Sequence, residues 1–599
     1  MHSTENRLIK LFKNAGCATI FSLMNGWSAR SPAATTVPRL ALFSFIFIIL
    51  FTGQFRLPAQ TRVNDIFGRS LNQHGITLVD WDGYLANPLV KIYLLPPTNA
   101  VLPGAATLTA NGARLYFDTP GTVSSNGPGK TISLTSATNG VPVRLACFPD
   151  RDSVDEDYTL TLVFTGANSV KQTNTVPVHV IDQDLQRTNA FVVTVNFDRD
   201  KTGVFTNVTR RALTTQVAND WTYFFTGMNL DAVSAGAEQT YIWSNNFNGG
   251  YYFTSTNNYT GYLLYAYGTT NTDHRSGGEA SFYGGAQTSG GVPLTLHRSG
   301  GFESEIYGNY NTLTWLFLTN GSDWLATGNL GNETNDFFSI AHHEIGHALI
   351  FNVGHPGFNF AKTNGGFKSA AVTNYYGAPV PIDAFDHLDG VIDPESGQGA
   401  FGYEYYGSIP RKRWIITKLD LLCAQEAGYV LRASSAFAPL TFLTNALLSA
   451  TNTLPYAAAF IATGGIPLFE WDITAGALPP GLTLDPFTGA LTGTPATTGV
   501  FNFTVRVRDY HETGAGLTQN LSLNVAAPPP IQLAISITNN QTRVFLSGTT
   551  GQKQVVQVSS NLFNWTPLAT NSSGTNLFQF AESNPLQFPQ RFYRAVVAP

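Results

Sequence analysis

The chain predicts a multidomain fold: an α+β domain near its centre, flanked by all-β, sandwich-like domains. Two observations carry this expectation. Of 599 residues, 43% are hydrophobic and only 12% charged, with 56 Gly and 32 Pro, a composition suited to many short strands joined by tight turns. Helix-like apolar spacing occurs in three places, all between residues 189 and 432. The expected divisions are 1–59, an export segment; 60–188, a β-rich domain; 189–432, the α+β domain; 445–527 and 531–599, two further β domains.

Residues 40–52 (LALFSFIFIILFT) are apolar, follow Arg39 and lead to Leu57-Pro58-Ala59. That arrangement reads as an export signal cleaved after Ala59. The apolar run is short for a spanning helix, so no stable membrane span is expected after export. A secreted or extracellular chain follows, with surface association through its β modules as a variant. Net charge is −5 and no basic stripe occurs, which argues against nucleic acid as a partner. Three cysteines, Cys17, Cys147 and Cys423, make no disulfide scaffold.

Between 60 and 188, strands are expected at Val90–Leu95, Thr131–Thr135, Val143–Cys147, Thr159–Phe164 and Val176–Ile181. The acidic run Asp150–Asp157 and the pair Asp182 and Asp184 offer oxygen ligands of the kind calcium takes. Their spacing matches no defined calcium loop, so solvated turns are the stronger reading and a structural Ca²⁺ the weaker one.

The central domain opens with a strand at Phe191–Phe197 and a helix over Arg210–Phe225, where Leu213, Val217 and Trp221 share a face. Its most informative segment is His343-Glu344-Ile345-Gly346-His347. Thr334, Asn335 and Asp336 supply N-cap side chains, and Phe337, Ile340, Ala341, Ala348 and Leu349 supply a face to bury, so a helix is expected. On a helix, His343 and His347 share one side and can bind one zinc ion. Glu344 can then act as the base that deprotonates a zinc-bound water for attack on a carbonyl. His342 points about 100° away and cannot join that site. A last helix is expected at Lys418–Ala427, begun by Thr417 and Asp420 as a capping box and stopped by Gly428.

Residues 190–430 resemble metzincin-type zinc metallopeptidases, closest in layout to leishmanolysin-like bacterial secreted peptidases. That resemblance implies a third histidine ligand. The usual spacing fails: Ile350 and Val353 stand where Gly and His are expected, and no Met follows Met228. The leishmanolysin-like layout tolerates an insertion and implies His387, in Asp386-His387-Leu388-Asp389-Gly390, as third ligand. His355 is the alternative. Asp386 and Asp389 would orient His387. Tyr403, Tyr405 and Tyr406 are weaker candidates as oxyanion donors. The structural role of the missing Met would pass to the Tyr406–Trp414 region.

Residues 445–527 contain Leu478-Pro479-Pro480-Gly481-Leu482 and Thr488-Gly489-Ala490-Leu491-Thr492-Gly493-Thr494-Pro495. This wording resembles immunoglobulin-like repeats of bacterial surface and secreted proteins. Ala526–Pro530 is a Pro-rich linker to a small C-terminal β module. The expected function is a secreted zinc endopeptidase acting on protein or peptide, its β modules contacting cell surface or extracellular polymer. The rival is a non-catalytic modular adhesion protein with a degenerate peptidase domain.

Overall fold

The computed structural model describes residues 60–597, apart from stretches of which the longest are 119–128, 186–192, 228–234, 270–278, 306–313, 317–333 and 402–413. The expected export segment, Tyr403, Tyr405, Tyr406 and Asp389 lie outside the described residues. No helix among the described residues is long and apolar enough to cross a membrane.

Residues 60–182 form two facing sheets. One orders Arg62–Asn64, Val90–Leu95, Val141–Cys147 and Leu115–Asp118, all antiparallel. The other orders Ile76–Asp80, Lys171–Asp182, Glu156–Thr165, Gly104–Asn111 and Gly129–Leu134. Its first pair is parallel, Ile76 opposite Val178, and the rest antiparallel. Alternation decides which side is buried: in Lys171–Asp182, Asn174, Val176, Val178 and Val180 face in while neighbours face out.

The next unit carries a sheet of Val193–Asn196, Tyr262–Thr269 and Ser299–Glu305 in parallel, edged by antiparallel Glu279–Tyr283. Helix α1 (Val208–Tyr223) is capped by Asn207, whose side chain accepts from the Thr209 and Arg210 amides. Helix α2 (Phe337–Leu349) carries the His-Glu-x-x-His segment and has every residue buried. Two short helices, α3 (Pro356–Thr363) and α4 (Ala370–Tyr376), follow where the sequence suggested only an insertion. Helix α5 (Lys418–Glu426) starts with the expected reciprocal capping box of Thr417 and Asp420.

The apolar core does not break near residue 189. One cluster runs from Val63 through Trp81, Leu145 and Val178 of the sandwich to Trp221, Phe351, Leu388 and Tyr429. The segment after strand Ile76–Asp80 is wedged between the layers: the Ala86 amide donates to Ile416 O (2.8 Å) and the Leu89 amide to Glu395 O (2.8 Å). Sandwich and helical unit therefore share a core.

Residues 450–526 make a second two-sheet unit around Trp471, Leu491, Val505 and Leu523. Its Gly-Pro wording has a steric cause. Gly481 (φ 93°) and Gly493 (φ 138°) lie back to back, and a Cβ on Gly493 would sit 2.1 Å from Gly481 O. The last module, with a small core of Val544, Leu546 and Val556, pairs Gln532–Thr538, Gln541–Ser547 and Leu577–Ser583 in one sheet. The molecule is mostly β, in several domains.

Candidate metal centre

Helix α2 begins where Asp336 turns in: its Oδ2 accepts from the Ser339 amide (3.2 Å) and hydroxyl (2.7 Å). The helix then lies against α1, and the Trp221 indole N–H donates to His342 O (2.9 Å). Gly346 is required at this contact. A Cβ there would meet the Phe401 ring at 2.6 Å and the Trp221 ring at 2.8 Å. At the other end, the Tyr262 and Tyr429 hydroxyls donate to Ala348 O and Leu349 O, carbonyls that the helix itself leaves without an internal donor.

His343 and His347 sit four residues apart with ring centroids 4.7 Å apart. His387 arrives from the turn after α4 and stands 5.2 Å from the His343 ring and 4.9 Å from the His347 ring. The His347 and His387 Nε2 atoms face each other at 3.1 Å. One ring nitrogen from each of the three lies within 4.8 Å of the other two. Each α2 imidazole is held by its other nitrogen. His343 Nδ1 donates to Phe401 O (3.1 Å) and His347 Nδ1 to Phe351 O (2.6 Å). A carbonyl only accepts, so Nδ1 carries the hydrogen and Nε2 keeps the lone pair that a metal needs.

Burial, and then the neighbouring imidazoles, hold His343 well below the usual histidine range and push His347 down to about 3. Both stay neutral at pH 7, the form that ligates. The donor set therefore fits a zinc ion: three imidazoles converge from two elements, and those of His343 and His347 are neutral with fixed tautomers. Glu344, 4% exposed, follows His343 on the same helix.

The other sequence-derived residues fall as follows. His355, the alternative third ligand, stands apart from the group. It caps α3, its Nδ1 accepting from the Phe358 amide (3.2 Å), and stacks on Tyr429 at 5.7 Å. Asp386, expected to orient His387, has a partner of its own. Its backbone takes φ 68°, and its carboxylate pairs with Lys362. Asp383 orients His387: its Oδ1 accepts from the His387 amide (2.8 Å) and its Oδ2 lies 3.5 Å from His387 Nδ1. His342 is fully buried.

Sequence reasoning missed Phe401. Its ring centroid lies 4.6 Å from that of His343, 4.7 Å from that of His347 and 6.2 Å from that of His387, making a floor beneath all three. Its amide donates to Asp420 Oδ1 (2.7 Å), and burial pushes Asp420 up to about 7. Of the Tyr406–Trp414 region expected beneath the site, residues 406–413 lie outside the described residues, and Trp414 packs edge-on against Phe401 at 6.2 Å. No sequence signal marks Phe401. The capping box did mark Asp420, but not its second task.

The acidic turns also converge. Asp80, Asp150, Asp182 and Asp184 each bring a carboxylate oxygen within 4.8 Å of the others. A cation of the chain itself is already there: Arg114 pairs with Asp80, Asp150 and Glu156. Burial, opposed by Arg114, raises Asp80 to about 7, and burial raises Asp184 to about 8.

Residues 435–526 match a family model described as "Putative Ig domain". No curated protein matches the chain. Among solved structures, a "putative alpha-galactosidase" from Bacteroides fragilis aligns at 18% identity over 14% of this chain and 17% of its own, TM-score 0.13. An endo-fucoidan hydrolase of glycoside hydrolase family 107 aligns at 11% identity, over 83% of this chain and 48% of its own, TM-score 0.13. The extracellular domain of protocadherin GammaB4 aligns at 10% identity over 86% of this chain and 88% of its own, TM-score 0.15. This chain thus spans less than half the length of the first two. At these TM-scores the likenesses carry no argument about fold or activity.

Proposed function

We propose that the chain is a secreted zinc endopeptidase, with His343, His347 and His387 as metal ligands and Glu344 as general base. The observation that carries this is the convergence of three histidine nitrogens, two on α2 and one from the distant turn at 387, around a single point. Zinc, when bound, would polarise a substrate carbonyl and make an adjacent water more acidic. Glu344 would take a proton from the attacking water at its carboxylate and return it to the departing amine nitrogen. Phe401 O, Phe351 O and Asp383 would keep the imidazoles aimed. The metzincin-like character of the α+β unit belongs to this reading, as does export. The β modules, one of them matching the Ig model, would hold the enzyme at a cell surface or polymer. A structural calcium would take its donors from Asp80, Asp150, Asp182 and Asp184, in competition with Arg114 for Asp80.

The test is Glu344→Gln. Zinc content should stay at the wild-type stoichiometry, while hydrolysis of casein or a quenched fluorescent peptide falls by about 10²–10⁴-fold, the span of general acid–base catalysis. Undiminished hydrolysis in that variant would refute the proposed base. A zinc-bound wild type that cleaves no peptide would favour the adhesion reading instead.

A further inference from the structure

His342 precedes the first proposed ligand by one residue, and its side chain leaves about 100° further round the helix, toward Tyr84 of the N-terminal sandwich. Each of its ring nitrogens faces an oxygen acceptor: Nδ1 lies 3.0 Å from Phe338 O in its own helix, and Nε2 lies 3.0 Å from Asp220 Oδ2 of α1. Asp220, with only 6% of its side chain exposed, is gripped from beyond by Arg151. Arg151 Nε donates to Asp220 Oδ1 (3.1 Å) and Nη2 to Oδ2 (2.6 Å), a two-pronged pair.

Arg151 belongs to neither helix. It lies between the sandwich strands Val141–Cys147 and Glu156–Thr165. A second sandwich residue closes the arrangement. The Tyr84 ring stacks on His342 (5.4 Å, 19°) and meets Phe338 edge-on (5.1 Å), while the Arg151 guanidinium covers Tyr84 at 4.2 Å. The residue after Asp220, Trp221, holds the His342 carbonyl. One turn of α2 is therefore held by backbone and by side chain, and both side-chain holds lead back to the sandwich.

We infer that residues 60–188 are a standing positioning module for the histidine helix, acting through Arg151, Asp220 and His342, and not a prosegment to be removed. The argument is geometric. Neighbouring helix residues are fixed about 100° apart and 1.5 Å along the axis, so whatever fixes the rotation of His342 fixes that of His343. A misplacement of about 1 Å at a reacting centre costs up to ~10²-fold in rate. Arg151 acts through Asp220 and His342 and is a positioning residue. Its two prongs match a carboxylate in a way that lysine cannot.

This inference deepens the zinc reading and rests on it in one arm of its test. The full chain is compared with Arg151→Ala and Arg151→Lys. Arg506→Ala serves as a control, because it removes a similar two-pronged pair with Asp472 in the distant Ig-like unit. Zinc affinity is titrated, and hydrogen exchange of the 337–349 amides is measured on metal-free protein. Arg151→Ala should weaken zinc about tenfold and speed exchange in α2 about tenfold, with the 450–526 strands unchanged. Arg151→Lys should fall between, and Arg506→Ala should match wild type at the histidines. Should the alanine variant not fold, the lysine variant decides alone. Zinc affinity and α2 exchange in the Arg151 variants equal to those of Arg506→Ala would overturn the inference. A wild type that binds no zinc defeats the functional reading, while the exchange arm still decides this one.

Discussion

His387 and His355 show how little local sequence says about which histidine joins a cluster. Both follow α2, and His355 is the nearer, yet it spends its Nδ1 on the Phe358 amide while His387 returns to face His347. His387→Ala should therefore weaken zinc by at least ~100-fold, since disturbing even a supporting partner costs 10–100-fold. His355→Ala should leave zinc affinity near wild type and lower thermal stability by loss of a cap and a stacked ring. Titration of both folded variants checks this. A second expectation concerns pH. His347 is held near 3 in the folded chain against an ordinary value of 6.5. Between those values the unfolded chain binds the proton and the native chain does not. Stability contributed by this group is thus full above about 6.5 and lost as pH falls toward 3. In metal-free protein, the melting temperature of wild type should drop more between pH 6.5 and 4 than that of His347→Asn. Parallel curves would show that His347 is not buried neutral.

At the scale of elements, the best-read parts were those whose signals are local. The α5 capping box and the Asp336 cap of α2 lie where their side chains put them. The strand Val90–Leu95 matches its expected bounds, while Lys171–Asp182 extends beyond the Val176–Ile181 segment its alternation suggested. Helices α3 and α4 went unread because Asn, Gly and aromatic residues around 356–377 give no clean apolar period. Pro356 at the first turn after a capping His355 was the one available clue. The facing of His343 and His347 was legible from their four-residue spacing. Its floor, Phe401, was not, because an aromatic residue beneath a site has no pattern of its own. Close packing at that floor gives a test. Gly346→Ala forces a methyl against Phe401 and Trp221, and overpacking of this kind costs about 1–3 kcal/mol. Chemical denaturation should register that loss, and zinc affinity should fall with it, because Phe401 O holds His343. A stable variant with unchanged affinity would show that the floor yields freely.

For the whole molecule, composition was enough for several mostly β domains, and the wording around Gly481 and Gly493 was enough for the Ig-like unit. The division at residue 189 was not readable, since contacts between Leu85 and Ile416 or Arg151 and Asp220 join positions far apart in sequence. Given the shared core, a fragment beginning at Asn189 should fail to fold, whereas Gln60–Arg432 should fold and cleave small peptides. It should do so at a lowered melting temperature. The Ig-like unit docks on the sandwich through Arg69, which donates to Phe469 O and Pro486 O, and through His74 stacked on Phe487 at 4.0 Å. A soluble, cooperative 189–432 fragment would contradict the shared core.

On the proposed function, three histidines from two separate elements hold one zinc ion. X-ray absorption at the zinc edge, on purified full-length protein, tests it most directly. The expected result is one zinc per chain with three imidazole nitrogens at about 2.0–2.1 Å and one further oxygen donor, dropping to two imidazoles or to no bound metal in His387→Ala. Absence of bound zinc in the wild type, or a wild-type spectrum retained in His387→Ala, would contradict it.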